Sequence, residues 1–363
     1  MTSIGIAIVG CGNISDIYLQ NLTQSQTVRV LACADLDVAL ATATAAKYGL
    51  PYAAMLDDVL RDPSVEIIVN LTTPDAHAAV AMAALSVGKH VYNEKPLALG
   101  LAEARQMLEL AAAKNLRLGC APDTFLGGGL QTCRQLIDDG AIGTPVAATA
   151  FMTCAGHESW HPNPSFYYQP GAGPLFDMGP YYLTALVNLL GPVQRVTGMA
   201  RASFSERTVT SQPLGGQVIE VNTPTHISGL LEFVSGVQGT IITSFDVQAA
   251  HLPSLEIHGS LGSLSLPDPN TFGGPVQLFT TAQPAWQQLP IAHGYTDNSR
   301  GLGVLDMAVA LRTGAAHRAS GALALHVLEV MHGILESAEA GQHVTIQSRP
   351  SRPAALATEL RFL

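Results

Sequence analysis

Through the first third of the chain, short apolar runs alternate with stretches of helical period. Residues 4–9 are uniformly apolar, 28–34 nearly so, and 67–71, 90–92 and 117–120 repeat the theme. Apolar runs with little polar alternation predict strands buried on both faces. Helical patterns fill the gaps at about 14–23, 39–47, 76–87 and 101–114, with Gly49 and Gly88 closing two of them. This order predicts a parallel, doubly wound α/β sheet. Past about residue 144 the texture changes to strands parted by Gly and Pro turns. In 225–234, Ile227, Leu231 and Phe233 alternate with Ser228 and Glu232. After Ser235-Gly236, Ile241 and Phe245 alternate with Thr240 and Ser244. That predicts a hairpin with one buried face, and 255–257 with 264–266 predicts a second. One helix, 178–190, interrupts, with Tyr182, Ala185, Leu186 and Leu189 on one face and Gly191-Pro192 ending it. Helices at about 301–312 and 323–338 close the pattern, and the Pro/Arg-rich stretch 348–353 reads as a loosely attached tail.

Composition narrows the class. Of 363 residues 47% are hydrophobic but only 13% charged, about half the usual share, which argues against disorder. The length suits two domains. A net charge of −10 offers no basic field for nucleic acid or an anionic membrane, and no apolar run approaches the ~20 residues of a membrane span. Residues 1–5 lack a basic stretch, so no leader is expected. Five cysteines without CxxC spacing suggest reduced thiols in a cytoplasmic protein. Lysine is scarce: the only four are Lys47, Lys89, Lys95 and Lys114.

Gly10-Cys11-Gly12-Asn13-Ile14-Ser15 follows the first strand and opens the first helix. Two glycines let the backbone turn and approach a pyrophosphate, and the helix start presents N–H groups to it. Ser15 at the third glycine position is still small. Asp35 ends the second strand 23 residues after Gly12, where a carboxylate accepts from ribose hydroxyls and repels a 2′-phosphate. A dinucleotide is expected, NAD ahead of NADP.

With that loop, Asn70-Leu71-Thr72-Thr73-Pro74-Asp75-Ala76-His77 and Gly88-Lys89-His90-Val91-Tyr92-Asn93-Glu94-Lys95-Pro96 strongly resemble the Gfo/Idh/MocA oxidoreductases, the glucose–fructose oxidoreductase and inositol dehydrogenase family. Gly171-Ala172-Gly173-Pro174-Leu175-Phe176-Asp177-Met178-Gly179-Pro180-Tyr181 resembles the family's approach to its catalytic helix. The resemblance implies a Rossmann domain (1–123), an open, mostly antiparallel β-sheet domain (124–297) and C-terminal helices (298–363) packing back toward the first. It implies cofactor contacts from Gly10, Cys11, Gly12, Asn13, Ile14, Asp35, Thr72, Thr73, Pro74, His77, Glu94 and Lys95. It also implies hydride transfer on a sugar, glycoside or cyclic polyol. Many members read Asp-x-Gly-x-His-x-x-Asp at the helix; here Tyr181 and Thr184 stand at the His and second Asp positions, which resembles the tyrosine-containing branch.

Oxidising a carbinol requires a general acid/base at its oxygen. Lys95, at a strand's carboxyl end, is the leading candidate, with Tyr181 as its partner in proton transfer and Asp177, one helical turn before Tyr181, orienting Lys95 or binding a neighbouring hydroxyl. Asp177 also suits a helix N-cap, and Tyr181 core packing. His157-Glu158-Ser159-Trp160-His161 matches the HExxH metal signature, yet Gly156, Pro162 and Pro164 predict a loop there, so no metal is expected. Its His157, Trp160 and His161, with Tyr168, suit a sugar ring. His293, Tyr295, Asn298 and Arg300 form a further polar cluster. Three readings compete: an NAD-dependent sugar or polyol dehydrogenase, a relative that retains its cofactor and returns the hydride, and a non-enzymic NAD-binding sensor, which the intact Lys95 disfavours. An open sheet with one apolar face suggests a homodimer or homotetramer.

Overall fold

The computed structural model describes residues 3–357; the leader reading at residues 1–5 falls partly outside them. By internal contacts the chain forms two units. The first comprises the residues up to Gly127, 293–325 and the described part of the segment from Pro353. The second comprises 128–292 and 326–352, so residues 298–363 are divided between the two.

The first unit carries β1 (Ile4–Val9), α1 (Asn13–Leu22), β2 (Val28–Ala34), α2 (Val38–Tyr48), β3 (Tyr52–Ala54), α3 (Leu56–Arg61), β4 (Ile67–Asn70), α4 (His77–Ser86), β5 (His90–Asn93), α5 (Leu101–Ala113) and β6 (Leu118–Cys120). Its sheet runs β3-β2-β1-β4-β5-β6, every pair parallel. All six residues of β1 and all four of β4 are buried, as strands covered on both faces require. The chain direction of the strand order reverses between β1 and β4, the switch point at which doubly wound sheets bind ligands. The apolar patterns placed five of these six strands and four of these five helices to within about two residues; β3, of three residues, and α3, of six, are too short to show a period.

The second unit carries α6 (Gly128–Asp138), β7 (Pro145–Thr153), α7 (Gly173–Leu190), β8 (Val193–Arg201), β9 (Glu206–Thr208), β10 (Val218–Glu220), β11 (His226–Phe233), β12 (Gln238–Ser244), β13 (Leu255–Gly259), β14 (Gly262–Leu266), β15 (Val276–Thr280) and β16 (Gln283–Leu289). After α8 (Leu302–Thr313) in the first unit come α9 (Gly321–Ala340), within which the units divide, and β17 (Val344–Thr345). The nine-stranded sheet runs β16-β15-β14-β13-β7-β12-β11-β8-β17 and is antiparallel except for the parallel pair β7–β12. Both predicted hairpins are present. Along β11 and β13 buried and half-exposed residues alternate, and α7 packs on β7, β11 and β12.

Two expectations need correction. Helix α7 begins at Gly173, five residues before the predicted start. Pro174 lies at its first turn, where a missing N–H costs nothing, and Pro180 is carried inside the helix. Asp177 is therefore an interior helical residue and not a cap. The stretch 348–353 is not loose. The N–H groups of Gln347 and Ser348 donate to the Glu329 carboxylate at 2.9 Å each, and Arg352 donates to Asn188 O and to Asp138 at 2.8 Å each.

Candidate functional site

In the first unit a cavity of about 590 Å³ opens at the switch point. Its floor is the carboxyl ends of β1, β2 and β4: Val9 and Gly10, Ala34 and Asp35, Leu71 and Thr72. Gly10 has φ +96°, and a Cβ there would stand 2.7 Å from the backbone of Leu71, so only glycine fits. Gly12 is different. A Cβ on it would meet nothing within 4 Å, and it precedes α1 without any side-chain cap. The start of α1 is thus uncapped by any side chain and has clear space over Gly12, the arrangement that takes up a phosphate. By contrast α2 is capped by its own Asp37, whose carboxylate accepts from Ala39 and Leu40. Asp35 accepts from Cys11 N at 2.8 Å and Asp37 N at 2.9 Å, which leaves lone pairs on both oxygens for further donors. Among the described residues no lysine or arginine lines the cavity.

Of the predicted cofactor residues, Gly10, Gly12, Asn13, Ile14, Asp35, Thr72 and Thr73 line the cavity. The others do not. Cys11 is buried, with its N–H held by Asp35. Pro74 is exposed beside Thr73. His77 is fully buried, Nδ1 lying 2.7 Å from Pro96 O and Nε2 3.0 Å from Thr72 O. Burial lowers its pKa against the pull of those carbonyls, and the ring is a strut between two loops. Glu94 accepts from Tyr18 Oη and from Lys95 N, at 2.8 Å each, and so fixes the backbone that carries Lys95. Beneath Thr72, the fully buried Asn70 donates to Asn93 and accepts from the Thr72 hydroxyl. Leu36, Leu40, Met55 and Leu56 complete the lining; Leu36 is 91% exposed, an apolar surface suited to a flat aromatic base. In the sequence its only sign is a leucine directly after Asp35.

The scarce lysines separate by task. Lys47 pairs with Asp16 at 2.7 Å, and Lys114 donates to Ser86 O. Lys89 is buried and donates to Asp62 O and Val65 O at 2.6 and 2.7 Å, and burial lowers its pKa. Lys95 is half-buried at the end of β5. Near α8, the buried Asp123 accepts from Gly301 N and Gly303 N, and burial pushes its pKa up to about 6. The predicted polar cluster nearby is strapped down: the carbonyls of Asn298 and Arg300 both accept from Asn21.

In the second unit the HExxH stretch is a series of turns, as its flanking prolines predicted. Among the described residues no group of three or more His, Cys, Asp or Glu stands ready for a metal. His157 packs against Tyr167, Phe245 and Trp160 with ring centroids 3.9, 4.5 and 5.2 Å away, and its Nε2 is 3.7 Å from Asp177 Oδ2. Trp160 is 60% exposed. His161 Nδ1 accepts from Asn163 N. Tyr181 is buried in α7. Tyr168, expected to touch substrate, is fully buried instead. Its hydroxyl accepts from His157 N and is bonded to Glu158, so it supports the loop from beneath. Arg207, absent from the sequence reading, holds this region together. It donates to Glu158 at 3.0 Å, to Phe245 O at 3.2 Å and to Asp246, and stacks near Tyr168 and Phe204.

Comparison with known proteins adds the lineage. The model of an oxidoreductase family with an NAD-binding Rossmann fold (GFO_IDH_MocA) matches residues 4–121. That of the GFO/IDH/MocA C-terminal domain matches 130–265. An oxidoreductase of Schizosaccharomyces pombe is 26% identical over 55% of this chain, a match that spans only 58% of the yeast protein. Inositol 2-dehydrogenase of Ralstonia nicotianae is 25% identical over 74% of this chain and 75% of its own. In fold, the chain matches an NAD-binding oxidoreductase of Klebsiella pneumoniae with a TM-score of 0.84 at 22% identity, covering 96% of this chain and 100% of that one. It matches levoglucosan dehydrogenase in complex with NADH and levoglucosan with a TM-score of 0.81 at 19% identity, covering 95% and 99%. At such identities the structures testify to fold alone.

Proposed function

The chain belongs to the Gfo/Idh/MocA oxidoreductase family, and from that premise we propose that it is an NAD(H)-dependent dehydrogenase of a secondary hydroxyl on a sugar, glycoside or cyclic polyol. The observation that carries the reading is the cradle at the β1/β4 switch point: uncapped N–H groups at α1, clear space over Gly12, and Asp35 at the cavity edge. These fit a dinucleotide, with the pyrophosphate at Gly10–Ile14 and the adenosine ribose at Asp35. The Asp35 carboxylate, and a lining that among the described residues holds no cation, favour NAD over NADP. The names of relatives, an inositol 2-dehydrogenase and a 1,5-anhydro-D-fructose reductase, support a polyhydroxylated substrate.

Bound nicotinamide supplies the hydride acceptor. The chain's own task is to hold the carbinol and move its proton. We assign proton transfer to Lys95, on the backbone that Glu94 fixes, together with Tyr181, and assign to Asp177 the orienting contact with a hydroxyl. Trp160, His157 and His161 supply the remaining substrate surface; Tyr168 and His77 serve as supports. The open sheet of the second unit is the surface by which we expect copies of the chain to pair as a dimer or tetramer. The test is a panel of sugars and polyols given to the purified protein with NAD, with NADH followed by absorbance. The reading expects NADH from at least one polyol, and NAD binding without turnover on any of them counts against it.

A further inference from the structure

Lys95 lies between two struts. Ahead of it, Glu94 is fixed by its own backbone: its N–H donates to Asn70 O at 2.8 Å, and its carbonyl accepts from Cys120 Sγ at 3.5 Å. The Glu94 side chain folds back so that Oε2 accepts from Lys95 N while Oε1 accepts from Tyr18 Oη, each at 2.8 Å. Behind Lys95, Pro96 O meets the buried His77 ring, whose other nitrogen reaches Thr72 O. Both struts lead back to the nucleotide cavity. Thr72 lines it, and Tyr18 sits one turn along α1 from Ile14, which lines it too. Tyr18 itself is fully buried and lies outside that lining.

A buried hydroxyl on a buried carboxyl is an inefficient way to fill a core. A phenylalanine against an aliphatic residue would leave no polar atom to satisfy, and exchanging both partners in that way is nearly neutral for stability. What the polar pair adds is geometry. A glutamate side chain left to itself samples many rotamers, and its bond to the next residue's N–H competes with all of them. With one donor on each oxygen the carboxyl has a single orientation, and the Lys95 amide has a single place to point. Burial, and then the charge of the facing Glu94, push the Tyr18 pKa well up. The hydroxyl therefore keeps its proton at neutral pH and stays the donor.

We propose that Tyr18 is a positioning residue for proton transfer: acting through Glu94, it holds the backbone of Lys95 in a fixed relation to the helix whose start forms the dinucleotide cradle. This rests on the assignment of proton transfer to Lys95 and adds to it a residue that touches neither cofactor nor substrate. The experiment measures kcat, KM and NAD affinity for the wild type, Tyr18→Phe, Lys95→Ala and the double variant, with a polyol that the wild type turns over. Slow variants are read at stoichiometric enzyme. In Tyr18→Phe, kcat should fall about 10- to 100-fold, as misplacement of a reacting group does, while KM and NAD affinity change by less than about twofold. On the Lys95→Ala background the same substitution should change the residual rate by less than about twofold, because the residue it positions is gone. A hydroxyl that only supports the fold would lower the rate alike in both backgrounds. That outcome, or an unchanged kcat in Tyr18→Phe, overturns the inference and leaves the polyol reading standing. Should Tyr18→Phe fail to fold, Glu94→Ala cuts the same link from its other end and carries the same two expectations. NAD binding with no turnover of any polyol by the wild type overturns the polyol reading, and the inference with it.

Discussion

The two units build their sites from different materials. In the nucleotide-binding unit the cradle within the cavity is backbone: strand ends, a glycine whose φ no other residue adopts cheaply, and the uncapped start of α1, with apolar side chains completing the wall. In the sheet unit the surface to which we assign the substrate is made of side chains drawn from distant segments, His157 and Trp160 from a loop, Asp177 from α7, and Arg207 from β9 clamping Glu158 and Asp246. A backbone site depends on a few local positions. A side-chain site depends on a buried network, and changes to that network should be felt as stability first.

The largest effect separates chemistry from binding. Lys95→Ala is expected to lower turnover by about 10³-fold, within the range of general acid/base catalysis, with NAD affinity nearly unchanged; rapid-quench and equilibrium titration would check the two halves. Next, Arg207→Ala should destabilise the sheet unit by about 3–5 kcal/mol, because it strands two carboxylates that are some nine-tenths buried. Both tryptophans, Trp160 and Trp286, lie in that unit, so denaturant unfolding followed by their fluorescence reads it directly. Equal stability of variant and wild type would erase the contrast.

A third effect is pH-dependent and again confined to the sheet unit. His326 is fully buried; its Nε2 accepts from Val193 N at 3.0 Å, and burial lowers its pKa to about 4. A depressed folded pKa means the unfolded chain takes up the proton first as pH falls. The stabilisation is therefore complete above pH ~6.5 and is lost between there and pH ~4, by on the order of 3 kcal/mol. Unfolding curves at several pH values should show that slope, and His326→Gln should remove it. The smallest effect returns to the cavity: Asp35→Ala should reduce the preference for NAD over NADP by about tenfold, read from the ratio of kcat/KM for the two cofactors.

The same contrast explains what was legible from sequence. The Rossmann sheet and its glycine loop were readable because apolar runs encode doubly covered strands, and because Gly10 and Asp35 encode backbone geometry at fixed spacing. Asp177 and His157 were readable as candidates but not as neighbours, since twenty residues part them. Arg207 left no signal at all: it is 49 residues from Glu158 and 39 from Asp246, and a lone arginine on a short strand reads as solvated. Tyr168 and His77 stand apart for the converse reason. Residue type suggested contact with ligand, while burial spent their polar atoms on the protein itself. Helix α6 was missed because Gly127–Gly129 signal a loop by local preference, which tertiary packing overrides.

The central claim is that the space over Gly12 belongs to a dinucleotide. Its most direct test is a calorimetric titration of NAD into the wild type and Gly12→Val. The extended backbone of Gly12 (φ −71°, ψ −174°) accepts any residue, so the variant should fold with an unchanged thermal midpoint. We expect a clear binding isotherm for the wild type and none for the folded variant. Equal NAD affinity in both would contradict the account.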